Sequence, residues 1–301
     1  MITPSNLHKG DLIGLISPSA KIDPSILYSA TRLLEAKGYR VKQGEYALSQ
    51  HYYFAGTDSQ RAHDFQLMLD DPSIKMIICN RGGYGMVKII DRLDFSCFLD
   101  NPKWIAGYSD ITVLHCHLAM LYKTKSIHSI MPYDFPADGN SCLAIDKLLE
   151  VAEGKKPTYN LPTHDLNLEG SANGMLVGGN ISILTSLLGS QSELDTEGSI
   201  LFIEEVGEPL YRLDRMMQTL KRSGKLSSLA GLIVGGMAKM NEEQEDYGLS
   251  AEEVIMDMIS DVNYPVCFGF PAGHFPENHP LIIGGEVSLS VNKNSVKIIF
   301  K

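Results

Sequence analysis

The 301 residues are 44% apolar and 21% charged, enough to bury one large core or two ordinary ones, and the formal net charge is −10. That acidity excludes a general nucleic-acid binder and favours neither a membrane nor an acidic polymer as partner. No run approaches the roughly 18 apolar residues of a bilayer span, and the mostly polar stretch from Met1 to Asp11 has no apolar centre of a secretory leader, so a cytoplasmic location is expected.

Leu12 to Ser17 is a short apolar run ending in Pro18-Ser19-Ala20, the pattern of a buried strand. Pro24 to Lys37 puts Ile26, Leu27, Ala30, Leu33 and Leu34 on one helical face, Gly38 closes that helix, and Tyr39 to Lys42 starts a second strand. Thr57 or Asp58 can cap a helix carrying Phe65, Leu67, Met68 and Leu69; Asp71-Pro72-Ser73 then turns into a buried strand over Lys75 to Asn80. Continuously apolar strands alternating with helices predict a parallel sheet covered on both faces, with ligands beyond the carboxyl ends of its strands.

Two of those ends carry unusual residues. Arg81-Gly82-Gly83-Tyr84-Gly85 lets the main chain approach a ligand, and the Gly82 or Gly83 amide can form half of an oxyanion hole, with the Asp110 amide as the other half. A tight turn with no ligand fits the same glycines. The run lacks the G-x-G-x-x-G spacing of a nucleotide loop, and Lys88 does not complete a P-loop. Trp104 to Tyr108 is the next strand, and from Asp110 the spacing of Ile111, Leu114, Leu118 and Leu121 is helical, so Ser109 falls on the junction. A hydroxyl there suits a nucleophile, because the amides of a first helical turn stabilise negative charge; it equally suits the helix N-cap.

His115 and His117 flank Cys116 on that helix and point to nearly opposite faces, which gives them structural roles rather than a chelate. The five cysteines are scattered without a C-x-x-C pair and read as buried free thiols of a reducing compartment, and no metal is expected. His128 is a rival general base with no evident carboxylate partner nearby. Ser141 to Ala152 is helical, and the polar, turn-forming stretch from Glu153 to Thr158 is the expected linker between an N-terminal α/β domain (1–153) and a C-terminal domain (160–301).

The second half opens with short strands and Gly178-Gly179-Asn180, which either approaches a ligand or joins a strand to the helix Ile181 to Leu188. Ser199 to Glu205 is a strand ending in two acids, of which alternation lets at most one face a given site. A helix from Leu210 to Arg222 turns Leu213, Met216, Met217 and Leu220 inward, and a buried strand follows from Gly231 to Gly236. Met240 to Tyr247 is an acidic exposed loop, Ala251 to Ile259 a helix and Val266 to Phe270 a strand. The loop from Pro271 to Pro280 carries His274, placed where a rigid scaffold can hold a general base, and His279, which reads as a surface residue. Ile282 and Ile283 precede a hairpin of Val287 to Val291 and Val296 to Phe300. The fold class is α/β, with an N-terminal parallel-sheet domain and a strand-rich C-terminal α/β domain.

Gly107-Tyr108-Ser109-Asp110-Ile111-Thr112, preceded by the Arg81 to Gly85 run and followed by Gly178-Gly179-Asn180, Leu201 to Glu205 and Gly273-His274, resembles the LD-carboxypeptidase family of serine peptidases. That family includes enzymes trimming peptidoglycan stem peptides and the microcin-immunity peptidases, and the five motifs stand here in its order. The resemblance implies a triad of Ser109 as nucleophile, His274 as base and Glu204, matching the family's Leu-Phe-x-Glu, as the acid that orients it, at a site where the domains meet. Gly82 or Gly83 with Asp110 would form the oxyanion hole; Glu205 and Glu208 would be solvent or salt-bridge partners. Ser129 and Ile130 depart from the family's His-Gly-Pro, and the counterpart of His128 is not the triad histidine.

The resemblance further implies no cofactor, a homodimer, and hydrolysis of the L-to-D bond of a murein tetrapeptide to release terminal D-alanine in cell-wall recycling. One alternative is a microcin-immunity type amidase cleaving a peptidyl or aminoacyl nucleotide, for which the chain lacks an evident aromatic-rich insertion. Another, of a different class, is a non-catalytic protein binding a small ligand.

Overall fold

The computed structural model describes residues 1–240 and 247–301, so most of the expected acidic loop lies outside the described residues. The chain is α/β and divides into two units, Met1–Lys155 with His279–Leu281, and Lys156–Asn278 with Ile282–Lys301.

The first unit runs β1 (Leu12–Ile16), α1 (Pro24–Ala36), β2 (Arg40–Gln43), α2 (Asp58–Asp70), β3 (Ile74–Cys79), α3 (Ser96–Asp100), β4 (Trp104–Gly107), α4 (Thr112–Leu121), β5 (Ser126–His128) and α5 (Leu143–Ala152). Its strands lie in the order β5-β4-β3-β1-β2, every pair parallel. Continuously apolar sequence dictates this: Ile13, Leu15, Ile77, Ile78 and Ile105 are all buried, each contributing about 1.5–3 kcal/mol by leaving water. Local signals set the helices. Asp23 caps α1 by accepting from Ser25 N with Pro24 in the first turn, and Thr57 with Gln60 forms a capping box on α2. From β1 the chain passes to β2 on one side and, after it, to β3 on the other; the carboxyl ends of β1 and β3 therefore flank the switch point where such sheets bind ligands. Of the apolar residues that α2 carries, Phe65, Met68 and Leu69 are buried and Leu67 is exposed.

The second unit holds β6 (Thr158–Leu161), β7 (Gly170–Asn180), α6 (Ile181–Ser186), β8 (Ile200–Val206), α7 (Leu210–Arg222), β9 (Gly231–Ala238), α8 (Ala251–Met258) and β10 (Val266–Cys267). After β11 (Leu281–Ile283), which opens in the segment belonging to the first unit, come β12 (Glu286–Asn292) and β13 (Ser295–Phe300). The sheet order is β10-β9-β8-β7-β12-β13-β6: β7 to β10 are parallel, and the hairpin β12–β13 with β6 adds an antiparallel flank. The expected strand to Phe270 stops at Cys267, because Gly269 turns to φ +72°. All five cysteines are free; Cys79, Cys116 and Cys267 are buried, but Cys97 is exposed and Cys142 half-buried, against the expectation of buried thiols throughout.

Candidate active site

β4 delivers the chain to Ser109 through Gly107 and an extended Tyr108, and a 3₁₀ turn over Ser109–Ile111 then leads into α4. Ser109 has φ 61°, a left-handed backbone that costs a residue with a Cβ energy and that clusters at functional turns. It is not a helix cap: α4 begins at Thr112, and neither it nor the preceding turn has a side-chain cap bond. A strand, a strained serine and a helix in succession is the geometry of a nucleophile elbow.

A buried post stands beneath this turn. His115 Nε2 lies 2.9 Å from the Gly107 carbonyl and Nδ1 2.8 Å from Ser126 Oγ. A carbonyl only accepts, so Nε2 carries the proton and Nδ1 accepts from the hydroxyl. Burial pushes the His115 pKa down to about 4, which keeps the ring neutral and the arrangement fixed at neutral pH. His117 is buried against Phe95 and Tyr122, so both histidines of this helix are structural.

The glycine run lies against the serine. A Cβ on Gly82 would sit 3.0 Å from Ser109 Cβ and 3.2 Å from its Oγ, so a side chain there would crowd the hydroxyl. Gly83, at φ +103°, faces the Tyr53 hydroxyl and Ala20. Asp110, 1% exposed, ties the two segments together: its Oδ2 accepts from Met86 N at 2.8 Å and from Ser19 Oγ at 2.5 Å. Burial raises the Asp110 carboxyl's pKa, against the pull of those bonds. Arg61, equally buried, donates to the Pro18 and Gly85 carbonyls and to Asp58, pinning the run from its other side. The sequence reading missed these roles of Ser19, Arg61 and the Asp110 side chain, whose partners lie far along the chain.

In the second unit Glu204 ends the inner part of β8 and is wholly buried. Its Oε2 accepts from His274 Nδ1 at 2.7 Å and from the His274 backbone amide at 3.2 Å. The His274 side chain remains 21% exposed. With Nδ1–H given to the carboxylate, Nε2 is the basic nitrogen. Gly273 makes the approach possible: it has φ +92°, and a Cβ there would lie 2.6 Å from Glu204 Cβ and Cγ. Asn278, itself buried, holds the loop by accepting from Gly273 N at 2.9 Å.

Glu205 departs from expectation. β8 is covered on both faces, so both acids are buried, yet they meet different partners as alternation requires, Glu204 taking His274 and Glu205 the β7–α6 corner. Glu205 accepts from Asn180 Nδ2, Ser182 N, Ser182 Oγ and Val206 N, a staple across the β7–α6 corner rather than a solvent or salt-bridge group, and burial raises its pKa. Glu208 does pair with Arg212, at 3.3 Å. Asn180 caps α6 by accepting from Ile183 N, so Gly178-Gly179-Asn180 joins strand to helix. His279 is buried, not on the surface, with Nε2 3.2 Å from Lys147 Nζ within the first unit. His128 is fully buried near the Tyr108 and His115 rings, a poor place for a base that must meet substrate. Ser109, Gly82, Gly83 and Asp110 thus gather in the first unit, and Glu204 with His274 in the second.

Comparison with known proteins adds to this. Residues 13–129 match the LD-carboxypeptidase N-terminal domain and residues 173–289 the LD-carboxypeptidase C-terminal domain. The chain is 35% identical over 298 residues to a probable murein peptide carboxypeptidase of Bacillus subtilis, covering 98% of this chain and 93% of that one. It is 26% identical to the microcin C7 self-immunity protein MccF of Escherichia coli, over 97% of this chain and 94% of the other. The crystal structure of muramoyltetrapeptide carboxypeptidase from Oxalobacter formigenes superposes with a TM-score of 0.88 at 26% identity, over 96% of this chain and 98% of that chain.

Proposed function

The chain belongs to the LD-carboxypeptidase family of serine peptidases, and from that membership we propose that it hydrolyses the L-to-D peptide bond of a murein tetrapeptide, releasing terminal D-alanine. The observation that carries the reading is the 2.7 Å bond from His274 Nδ1 to the wholly buried Glu204 carboxylate, the acid–imidazole pair that activates a serine.

His274 Nε2 takes the Ser109 proton as Oγ attacks the carbonyl carbon of the penultimate residue. The resulting oxyanion is held by the Asp110 amide and that of Gly82 or Gly83. Glu204 fixes the imidazole tautomer and stabilises the imidazolium. The imidazolium then protonates the leaving nitrogen, the C–N bond breaks, and D-alanine departs from an acyl-Ser109. Water, deprotonated by the same imidazole, attacks the ester and frees the tripeptide and the hydroxyl. Metal and cofactor have no part in this sequence. By the same family likeness the reaction belongs to cell-wall recycling in the cytoplasm, with the enzyme as a homodimer.

Murein peptide is preferred to a peptidyl or aminoacyl nucleotide because the murein peptide carboxypeptidase is the more similar of the two named sequence relatives. Mass spectrometry of purified protein with tetrapeptide tests the reading: loss of one alanine is expected, and Ser109→Ala should abolish it. An intact tetrapeptide beside a cleaved aminoacyl nucleotide would favour the immunity-type activity; a tetrapeptide bound but never cleaved would make the protein a binder.

A further inference from the structure

A carboxypeptidase must recognise the free carboxylate one residue beyond the bond it cuts. A carboxylate leaving water for a partly dry crevice needs a cation with well-placed donors, and arginine's fork supplies two parallel ones. At the carboxyl edge of the first sheet, Arg81 is placed for this. In the β3–β4 register Ile78 pairs with Ala106, and Arg81 and Ser109 each stand three residues further along their own strand's exit. The next residue, Gly82, is the one whose missing Cβ would meet the Ser109 side chain. Neighbouring strands run about 4.8 Å apart, and consecutive Cα atoms of a peptide are about 3.8 Å apart, so the end of a substrate attacked by Ser109 falls within an arginine's reach.

The guanidinium is already oriented. It stacks on the Tyr133 ring at 4.1 Å, and one Nη1–H donates to the Lys21 carbonyl at 2.8 Å; Tyr133 is in turn fastened to the end of β3 by its amide on the Asn80 carbonyl. Arg81 is half-buried, and among the described residues it has no carboxylate partner and no second hydrogen bond. The other arginine at this loop, Arg61, is 1% exposed and already spends Nη1 on two carbonyls and Nη2 on the Asp58 carboxylate. A half-buried cation held by an aromatic face and one carbonyl, with no anion of its own, is built to receive one.

We propose that Arg81 binds the terminal α-carboxylate of the substrate and thereby confines cleavage to the last residue. The proposal rests on the carboxypeptidase reading and adds its specificity-determining residue.

The test compares the tetrapeptide with the same peptide amidated at its C-terminus. Wild type should prefer the acid by about 100-fold in kcat/KM, the scale of one desolvated charge pair. Arg81→Gln should bring the acid to within about threefold of the amide, and Arg81→Lys, which keeps charge but loses the fork, should lie between, mainly through a raised KM. An unchanged acid-to-amide ratio in Arg81→Gln, with wild type still releasing D-alanine, overturns the Arg81 assignment and leaves the carboxypeptidase reading standing. If wild type cleaves neither peptide, the carboxypeptidase reading fails, and calorimetric titration of both peptides onto Ser109→Ala decides on Arg81. Acid bound more tightly than amide only while Arg81 is present supports it; equal binding overturns it.

Discussion

A methyl group at position 273 has nowhere to go. It would lie 2.6 Å from Glu204 Cβ and Cγ and 2.7 Å from Oε2, and Glu204 is wholly buried, so its stem has no free space to swing into. The backbone there is at φ +92°, which costs alanine about 1–2 kcal/mol, and the overpacked contact adds about 1–3 kcal/mol. Gly273→Ala should therefore lose roughly 2–5 kcal/mol, a sizeable part of the 5–15 kcal/mol that holds a typical protein together. The effect on turnover should be larger than stability alone explains. Whichever side yields, the carboxylate and the His274 ring separate or rotate, and a misplacement of about 1 Å in a catalytic group costs about 100-fold. Urea titration gives the stability, and D-alanine release measured at a temperature where the variant stays folded gives kcat. Turnover within about threefold of wild type together with a loss under about 1 kcal/mol would refute the claim that the His274 loop is seated directly on Glu204.

Gly82→Ala is the counterpart in the first unit. Its Cβ would press on Ser109 at 3.0–3.2 Å without a positive φ to strain it, so kcat should fall about 10- to 100-fold while stability changes by less than about 1 kcal/mol; a thermal melt and steady-state rates check this, and normal turnover would contradict the packing. His115 makes a prediction about acid stability. Its pKa in the fold is about 4 against 6.5 unfolded, so below pH 6.5 the unfolded chain takes up a proton that the native one refuses. The stability it permits is complete above pH 6.5 and declines as pH falls toward 4, by about 2 kcal/mol between pH 7 and 5. In His115→Gln that part of the slope should vanish; equal slopes in urea titrations of variant and wild type at the two pH values would show that the ring is not buried neutral.

What could be read beforehand followed from local pattern. Runs such as Leu12 to Ile16 and Ile74 to Cys79 are apolar throughout because both sheet faces are covered, and that signal needs no partner to be known. Ser109 was visible because a strand period changes to a helix period at that residue. What stayed hidden was set by distant contacts. Lys103, a charged residue just ahead of β4, is 1% exposed and donates to the carbonyls of Met68, Leu69 and Asp71, satisfying the C-terminal end of α2 from 32 to 35 residues away. That burial lowers its pKa to about 8. Position in the turn gives Asp110 only a role for its backbone amide, while its side chain joins Ser19 and Met86, 91 and 24 residues earlier. Glu205 reads as a surface acid because nothing local shows that the β7–α6 corner covers its face of β8, and His279 as a surface residue because a loop histidine before proline gives no sign that its segment returns to the first unit.

The central claim is that Ser109, His274 and Glu204 act as a single device. Turnover of murein tetrapeptide by Ser109→Ala, His274→Ala, Glu204→Gln and the triple variant tests it most directly. Members of one device do not add: Ser109→Ala or His274→Ala alone should cost nearly as much as all three changes together, and Glu204→Gln alone about 10²- to 10⁴-fold in kcat. Losses that multiply across the three positions, or a His274→Ala enzyme that keeps more than about a tenth of its rate, would mean that the imidazole does not serve the serine.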